Sequence, residues 1–383
     1  MDNLKVVNSF QVDHVDRSNK SNTIRIWKEN EVCERLVPLF KISYDVWTTQ
    51  PYLSPLSFPY PPDNVPQEII DSFHQALVSP DTYLLQALLD FDIISMNVSH
   101  KAMHDLFTVF SYDKLVHRFI STVCAVEFAQ PALTEGTVLR HNSHLTFLFQ
   151  VYYDLFAGDF LNNILKPIIN KIDDTGYLGI RENDISKIKK VSKLLNWVLD
   201  KFVSGDKFIT PQIRHMANVL RSQVSLVLKT KHAVFNALSS FFCLRFSNAV
   251  ISNPFYYEKK GRTDIEIHKI SVQFTQLLQL PFNFQLISDR YEYLQELSEQ
   301  IVDRFEDIYN FVIGISDFKV TEKVKYPKPR KKECDEAIKR LMGYASAGKE
   351  LLVERYRKLY DGEEQRAAAS FAVSNLLSKM FTK

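Results

Sequence analysis

The sequence predicts an all-α protein, and three observations carry that prediction. From Pro66 onward apolar residues recur at intervals of three and four, the spacing that lines one face of a helix. Start signals such as Thr210-Pro211, a capping residue followed by a proline in the first turn, punctuate that pattern. A chain of 383 residues that is 45% hydrophobic and 13% aromatic can bury a sizeable core, and after Pro66 no strand-like alternation competes with the helical period.

Taken in order, residues 1 to about 25 are polar and aperiodic. Trp27, Leu36, Leu39, Phe40 and Tyr44 suit one docking helix between Ile26 and Trp47, kinked near Pro38. The run from Pro51 to Pro62 forbids regular helix, because each proline lacks a donor and restricts its predecessor. Its interleaved aromatics read as a surface strap, or as a proline-rich ligand for another protein. Ile69, Ile70, Phe73 and Leu77 mark a first helix, ending near Ser79-Pro80, with Ser79 as cap and Pro80 in the first turn of the next. That second helix carries Tyr83, Leu84, Ala87, Leu88 and Phe91. Ser99 or His100 opens a third through Met103, Leu106, Phe107 and Phe110, and Leu115, Phe119 and Val123 carry a fourth.

Leu145, Phe147, Leu148, Val151, Tyr152 and Leu155 follow after a loop, and Pro167 is expected to kink the helical run through Phe160 to Ile169 or to start a new element. After a turn-rich stretch from Asp173 to Gly179, Asp184 is expected to cap a long amphipathic helix through Phe202. Its lysines at 187, 189, 190, 193 and 201 read as a solvated face. Thr210-Pro211 starts a helix to about Leu228, and another apolar helix runs from Ala233 to about Asn248.

Composition excludes several classes. A net charge of +2 gives no global field of the kind that marks a nucleic-acid binder. Cys33, Cys124, Cys243 and Cys334 are far apart and form no metal or disulfide pattern. The start is unlike a signal peptide and no apolar run approaches membrane-spanning length, so a reducing, cytoplasmic compartment is expected. No histidine or carboxylate spacing suggests a self-contained active site.

Two arginines stand out. Arg140 lies in the connection Thr137-Val-Leu-Arg-His-Asn-Ser143, between two largely apolar helical runs. There its fixed charge and up to five donors sit on a rigid mount. Taken alone it reads as a surface or capping arginine. Arg245 interrupts the otherwise apolar Phe241-Phe-Cys-Leu-Arg-Phe246, and a buried arginine is costly unless paired and hydrogen-bonded. It therefore needs partners in a neighbouring helix or loop.

Together the two stretches resemble the GTPase-activating domain for Ras-type small GTPases. Leu139-Arg140-His141-Asn142-Ser143 is similar to that family's finger loop, Leu-Phe-Arg-x-Asn-Ser, at the arginine, asparagine and serine. Leu244-Arg245-Phe246-Ser-Asn-Ala-Val-Ile-Ser-Asn-Pro254 resembles its signature helix. Tyr152 to Pro167, with Leu165-Lys166-Pro167, and Pro211-Gln-Ile-Arg214 to Leu220 resemble two further segments in the family's order. The resemblance covers about residues 67 to 320. It departs from the family at Cys243 and Ala249, where a phenylalanine and a proline are usual, and at Leu139, where the residue directly before the finger is usually phenylalanine. A partner-binding lysine of the family falls at Gln273, with Lys269 one turn earlier.

The resemblance implies an elongated helical domain with an arginine finger loop. It would be flanked by an N-terminal extension (1–66) and by a basic linker and helical segment (321–383). It implies that Arg140 is the finger inserted into a GTP-loaded Ras-type partner and that Arg245 holds the finger loop. Leu139, Asn142, Ser143, Leu244, Lys166, Lys269, Gln273 and Gln276 would lie on the GTPase-binding side, with Asn142 and Ser143 tying off the following helix. GTP and Mg²⁺ would belong to the partner, leaving this chain no cofactor of its own, no metal site and no role as an enzyme in isolation. Two rivals stand beside that reading. One is a GAP-like module that binds a GTP-bound GTPase without activating it, against which an arginine at position 140 argues; the other is a helical scaffold whose motifs serve packing. The lysine-rich stretch from Lys319 to Lys332 is a candidate contact with an acidic membrane face.

Overall fold

In the computed structural model the described residues are 14–17, 23–28, 31–36, 65–90, 93–129, 134, 138–174, 185–253, 265–285, 296–317 and 324–358. The Pro51–Pro62 strap, Asp184 and the turn after Asp174 lie outside them. The chain divides into two compact units, Met1–Phe58 and Pro59–Lys383. In the first, β1 (His14–Arg17), β2 (Thr23–Lys28) and β3 (Glu31–Leu36) form an antiparallel meander, with Arg17 opposite Ile24 and Lys28 opposite Glu31. This corrects the docking helix expected from Ile26. Thr23-Ile-Arg-Ile-Trp-Lys28 alternates with period two and is rich in β-branched residues, which favours a strand over a helix.

The regular elements described in the second unit are all helical. Its helices are α1 (Gln67–Leu77), α2 (Tyr83–Leu88), α3 (Met96–Tyr112), α4 (Val116–Phe128) and α5 (His144–Phe156), then α6 (Lys166–Asp174), α7 (Ile185–Ser204) and α8 (Pro211–Val227). They continue as α9 (Lys231–Ser239), α10 (Asn248–Ser252), α11 (Ile265–Phe282), α12 (Glu296–Asp303), α13 (Phe305–Ile315), α14 (Lys331–Ala347) and α15 (Lys349–Lys358). Two π-helical segments interrupt them, Leu161–Leu165 and Ser240–Ser247.

Local chemistry moves some boundaries. Thr82, in the left-handed region at φ 59°, precedes α2; the Asp81 carboxylate accepts from the Tyr83 N–H at 3.1 Å, so Ser79-Pro80 sits in a turn and not in the first helical turn. Ser95 opens α3, and Ser99 is buried one turn inside it, donating back to the Ser95 carbonyl at 2.9 Å. Pro167 is the second residue of α6, which begins where the first π segment ends, so the change of element expected at this proline falls here. Lys231–Ser252, continuous through α9, the second π segment and α10, is long and apolar enough to cross a membrane, contrary to the sequence reading, but 78% of its apolar window is buried inside this unit. It is a core helix.

The C-terminal segment is bound to the body of the unit. Helix α14 packs on α3, where Arg340 forks onto the Asp105 carboxylate at 2.6, 2.9 and 3.1 Å. Ahead of it, residues 324–330 form no regular element. Gln212 Nε2 donates to the Lys325 carbonyl at 2.7 Å, and Tyr326 sits among Phe107, Tyr152 and Phe156 with ring centroids 5.8 to 6.3 Å away. The Tyr326 hydroxyl lies 2.6 Å from His215 Nδ1, whose Nε2 is 3.0 Å from His117 Nδ1. Lys325, Lys328, Lys331 and Lys332 remain exposed.

Two predictions follow from this packing. Asp105 is 1% exposed, so an Arg340→Met substitution strands a buried carboxylate; urea unfolding should show a loss of about 3 kcal/mol, and an unchanged midpoint would mean that α14 is not held through this pair. Burial, with His117 beside it, pushes the His215 pKa down to about 4, and burial does the same for His144. A histidine kept neutral by the fold stabilises it only while the unfolded chain is neutral as well. Thermal stability should therefore decline as pH falls from about 6.5 toward 4, and His215→Asn should flatten part of that decline in melting curves.

Candidate functional site

The site is built on α5, the second π segment and the connection before α5. Ser143 is the N-cap of α5: its side chain accepts from the Thr146 N–H at 3.3 Å, while the Thr146 hydroxyl lies 2.8 Å from the Ser143 N–H. This reciprocal box fixes where the helix begins and so where the loop ends. Val138, Leu139 and Arg140 form the turn before it. Leu139 has φ 57°, a left-handed conformation that costs an ordinary L-residue about 1–2 kcal/mol. Its side chain is fully buried and anchors the turn. Arg140, His141 and Asn142 face outward, and Arg140 makes no hydrogen bond or ion pair among the described residues.

Arg245 reaches the loop from the π segment. Its Nε donates to the Leu139 carbonyl at 3.0 Å, one terminal nitrogen to Asn142 Oδ1 at 3.0 Å, and the other to the His141 carbonyl at 2.6 Å. A planar guanidinium suits three acceptors spread around a turn, where an ammonium would not. Arg245 is half-buried, and burial lowers its pKa, opposed by Tyr153 and Glu127. The sequence predicted an arginine that needed partners, and the loop supplies them.

Aromatic packing sets the reach of Arg245. Tyr153 on α5 stacks on Phe246 at 4.5 Å and contacts Phe241 at 5.4 Å, and its hydroxyl donates to the Phe241 carbonyl. Phe149 meets Phe241 edge-on at 4.7 Å. Pinned on both sides of Arg245, the segment keeps a π-helical winding, with the Ser247 hydroxyl donating five residues back to Phe242 at 3.0 Å. Such segments occur often at functional positions because they re-aim a side chain within a continuous helix. At the far end Asn248 Nδ2 donates to Gln279 Oε1 at 2.6 Å, tying α10 to α11.

The remaining sequence candidates distribute as follows. Leu244 is half-exposed beside Arg245, and Cys243 is buried, its thiol pushed up by burial. Ala249 is exposed as the second residue of α10, so the helix continues through it. Gln273 and Gln276 are exposed on α11, which packs against the π segment, α10 and α6; Lys166 is half-buried at the start of α6. Lys269 lies in α11 with its side chain outside the described residues. Asn142 binds Arg245, so Ser143 with Thr146 performs the capping that was expected of the Asn142–Ser143 pair.

One participant was not singled out from sequence. Glu127, in the last turn of α4, is 4% exposed, and its Oε1 lies 3.3 Å from His141 Nε2. Burial raises its pKa, against the pull of the Ser143 hydroxyl, His141 and Arg245. A lone glutamate near a helix end carries no sequence signal that separates it from a solvated one.

No family model matches the chain, and no curated protein matches it.

Replacing Arg245 by alanine removes three charge-assisted bonds from a strained turn. Amide hydrogen exchange across residues 138–143 should accelerate at least tenfold and the melting temperature should fall. Arg245→Lys should rescue neither, since one ammonium cannot span the three acceptors. Unchanged exchange in the alanine variant would show that the loop holds itself.

Proposed function

We propose that this chain is a GTPase-activating protein that accelerates GTP hydrolysis by a Ras-type small GTPase, supplying Arg140 in trans. The observation that carries this reading is an outward-facing arginine, without a partner among the described residues, on a turn braced by a second arginine through three hydrogen bonds. The order of the motifs, resembling that family's finger loop and signature helix, supports it independently.

The chemistry asks little else of the protein. As the γ-phosphoryl transfers to water, negative charge builds on its oxygens and on the leaving β-phosphate oxygen. A guanidinium brought to those oxygens stabilises that charge, an effect worth ~10³ to 10⁵ in rate. It acts best when pre-positioned, because no free energy is then spent ordering it at the moment of reaction. Arg245 supplies that order, and the Arg140 backbone carbonyl would help to orient the partner's glutamine and the attacking water. The nucleotide and its Mg²⁺ are the partner's. The exposed faces of Leu244, Gln273 and Gln276 would meet the GTPase. The protein would work in the cytoplasm, with Lys325, Lys328 and Lys331 available to an acidic membrane face.

Single-turnover hydrolysis by a panel of purified, GTP-loaded small GTPases is the direct test. Stimulation is expected for at least one, with Arg140→Ala lowering it ~10³-fold or more and leaving binding to the GTP form within a fewfold. Binding without stimulation by the wild-type chain would instead make it a non-catalytic module.

A further inference from the structure

We propose that Glu127 is a positioning residue for the finger: its carboxylate, beneath the loop, grips His141 and, with Arg245, fixes the backbone on either side of Arg140. The inference rests on the reading of Arg140 as the finger, and extends it to a residue and a pH response of the same site.

The geometry divides the loop between two charged groups of opposite sign. Arg245 takes the backbone carbonyls of Leu139 and His141 and the side chain of Asn142. Glu127 meets the side chain of His141, the residue next to Arg140, at 3.3 Å. Among the described residues, Oε1 has no well-aligned hydrogen bond, although it is shielded from solvent. A buried carboxylate with half its acceptor capacity unmet is a cost that packing alone does not require, since a glutamine or methionine would fill the same space. What the charge provides is attraction toward the imidazole and the guanidinium that flank the finger. The groups facing it are His141 and Ser143 of the loop, Arg245 of the π segment, and the buried Cys124 thiol on its own helix.

Protonation of Glu127 should therefore act oppositely on activity and on this residue's own contribution to stability, against the overall decline in acid set by His215 and His144. Because burial raises the Glu127 pKa above that of a free carboxylate, protonation in the folded state begins at a higher pH than in the unfolded chain. Proton uptake there favours the fold as pH falls, while it removes the anion that holds His141. A group that merely stabilised the fold would move both in the same direction.

The test is Glu127→Gln in the full chain, with the GTPase that responds to the wild type. Expected is a roughly tenfold or greater drop in maximal stimulation and a finger that no longer responds to mild acid, with partner affinity within a fewfold. Amide exchange across residues 138–143 should rise, while the melting temperature is unchanged or higher. Glu127→Asp should recover less than half of the lost stimulation, its carboxylate being one methylene short. Wild-type stimulation and loop exchange in Glu127→Gln would overturn the proposal, and so would losses of activity and melting temperature in proportion. If no GTPase responds to the wild type, it is the finger reading that fails; faster loop exchange in Glu127→Gln then still supports the positioning role, and unchanged exchange still overturns it.

Discussion

The fork of Arg245 across the turn is the interaction on which the site depends. Hydrogen bonds from a charged donor contribute about 1.5–3 kcal/mol each when their partners are otherwise shielded. Three of them exceed the cost of about 1–2 kcal/mol for holding Leu139 in a left-handed conformation. The balance favours a single loop geometry even after a discount for the half-exposed side of the guanidinium. Without Arg245 the balance reverses, because buried Leu139 alone must oppose the backbone strain.

The two arginines differ sharply in their surroundings. Arg245 spends its donors on fixed acceptors and is half-buried, so it has nothing to offer a partner. Arg140 is exposed and, among the described residues, makes no hydrogen bond or ion pair, on a backbone that is already positioned. Reaching that state requires α5 and the π segment to sit in one register. Tyr153 enforces it by stacking on Phe246 while its hydroxyl holds the Phe241 carbonyl. The chain of cause runs from an aromatic clamp in the core, through a helix wound slightly wide, to the aim of one guanidinium at the surface.

Much of this was legible in the sequence, and the limits have physical reasons. Helix α8 announced itself through Thr210-Pro211, and the need of Arg245 for partners followed from its apolar neighbours. The π winding from Ser240 to Ser247 was not legible, because one extra residue per turn barely alters an apolar pattern that already covers nearly every side. The meander from His14 to Leu36 was missed because its strands are four to six residues long, too short for period two to stand out from a polar segment. Glu127 was missed for the opposite reason: burial, not pattern, makes it unusual.

Two positions at which the resemblance breaks, Cys243 and Ala249, fall where this scaffold absorbs the change. Cys243 is buried within the segment that Tyr153 and Phe149 already pin, so a smaller apolar side chain there changes packing without changing the aim of Arg245. At Ala249, within α10, the chain keeps a backbone donor that proline would lack, and the preceding Asn248 fastens the helix to Gln279 on α11. A hydrogen bond between two side-chain amides there holds the start of α10. The requirement on the sequence is therefore narrow. It needs two arginines with different surroundings, a capped helix start, and an aromatic clamp that keeps one arginine within reach of the other's loop. Residues outside that set are free to change as long as they stay apolar inside and polar outside.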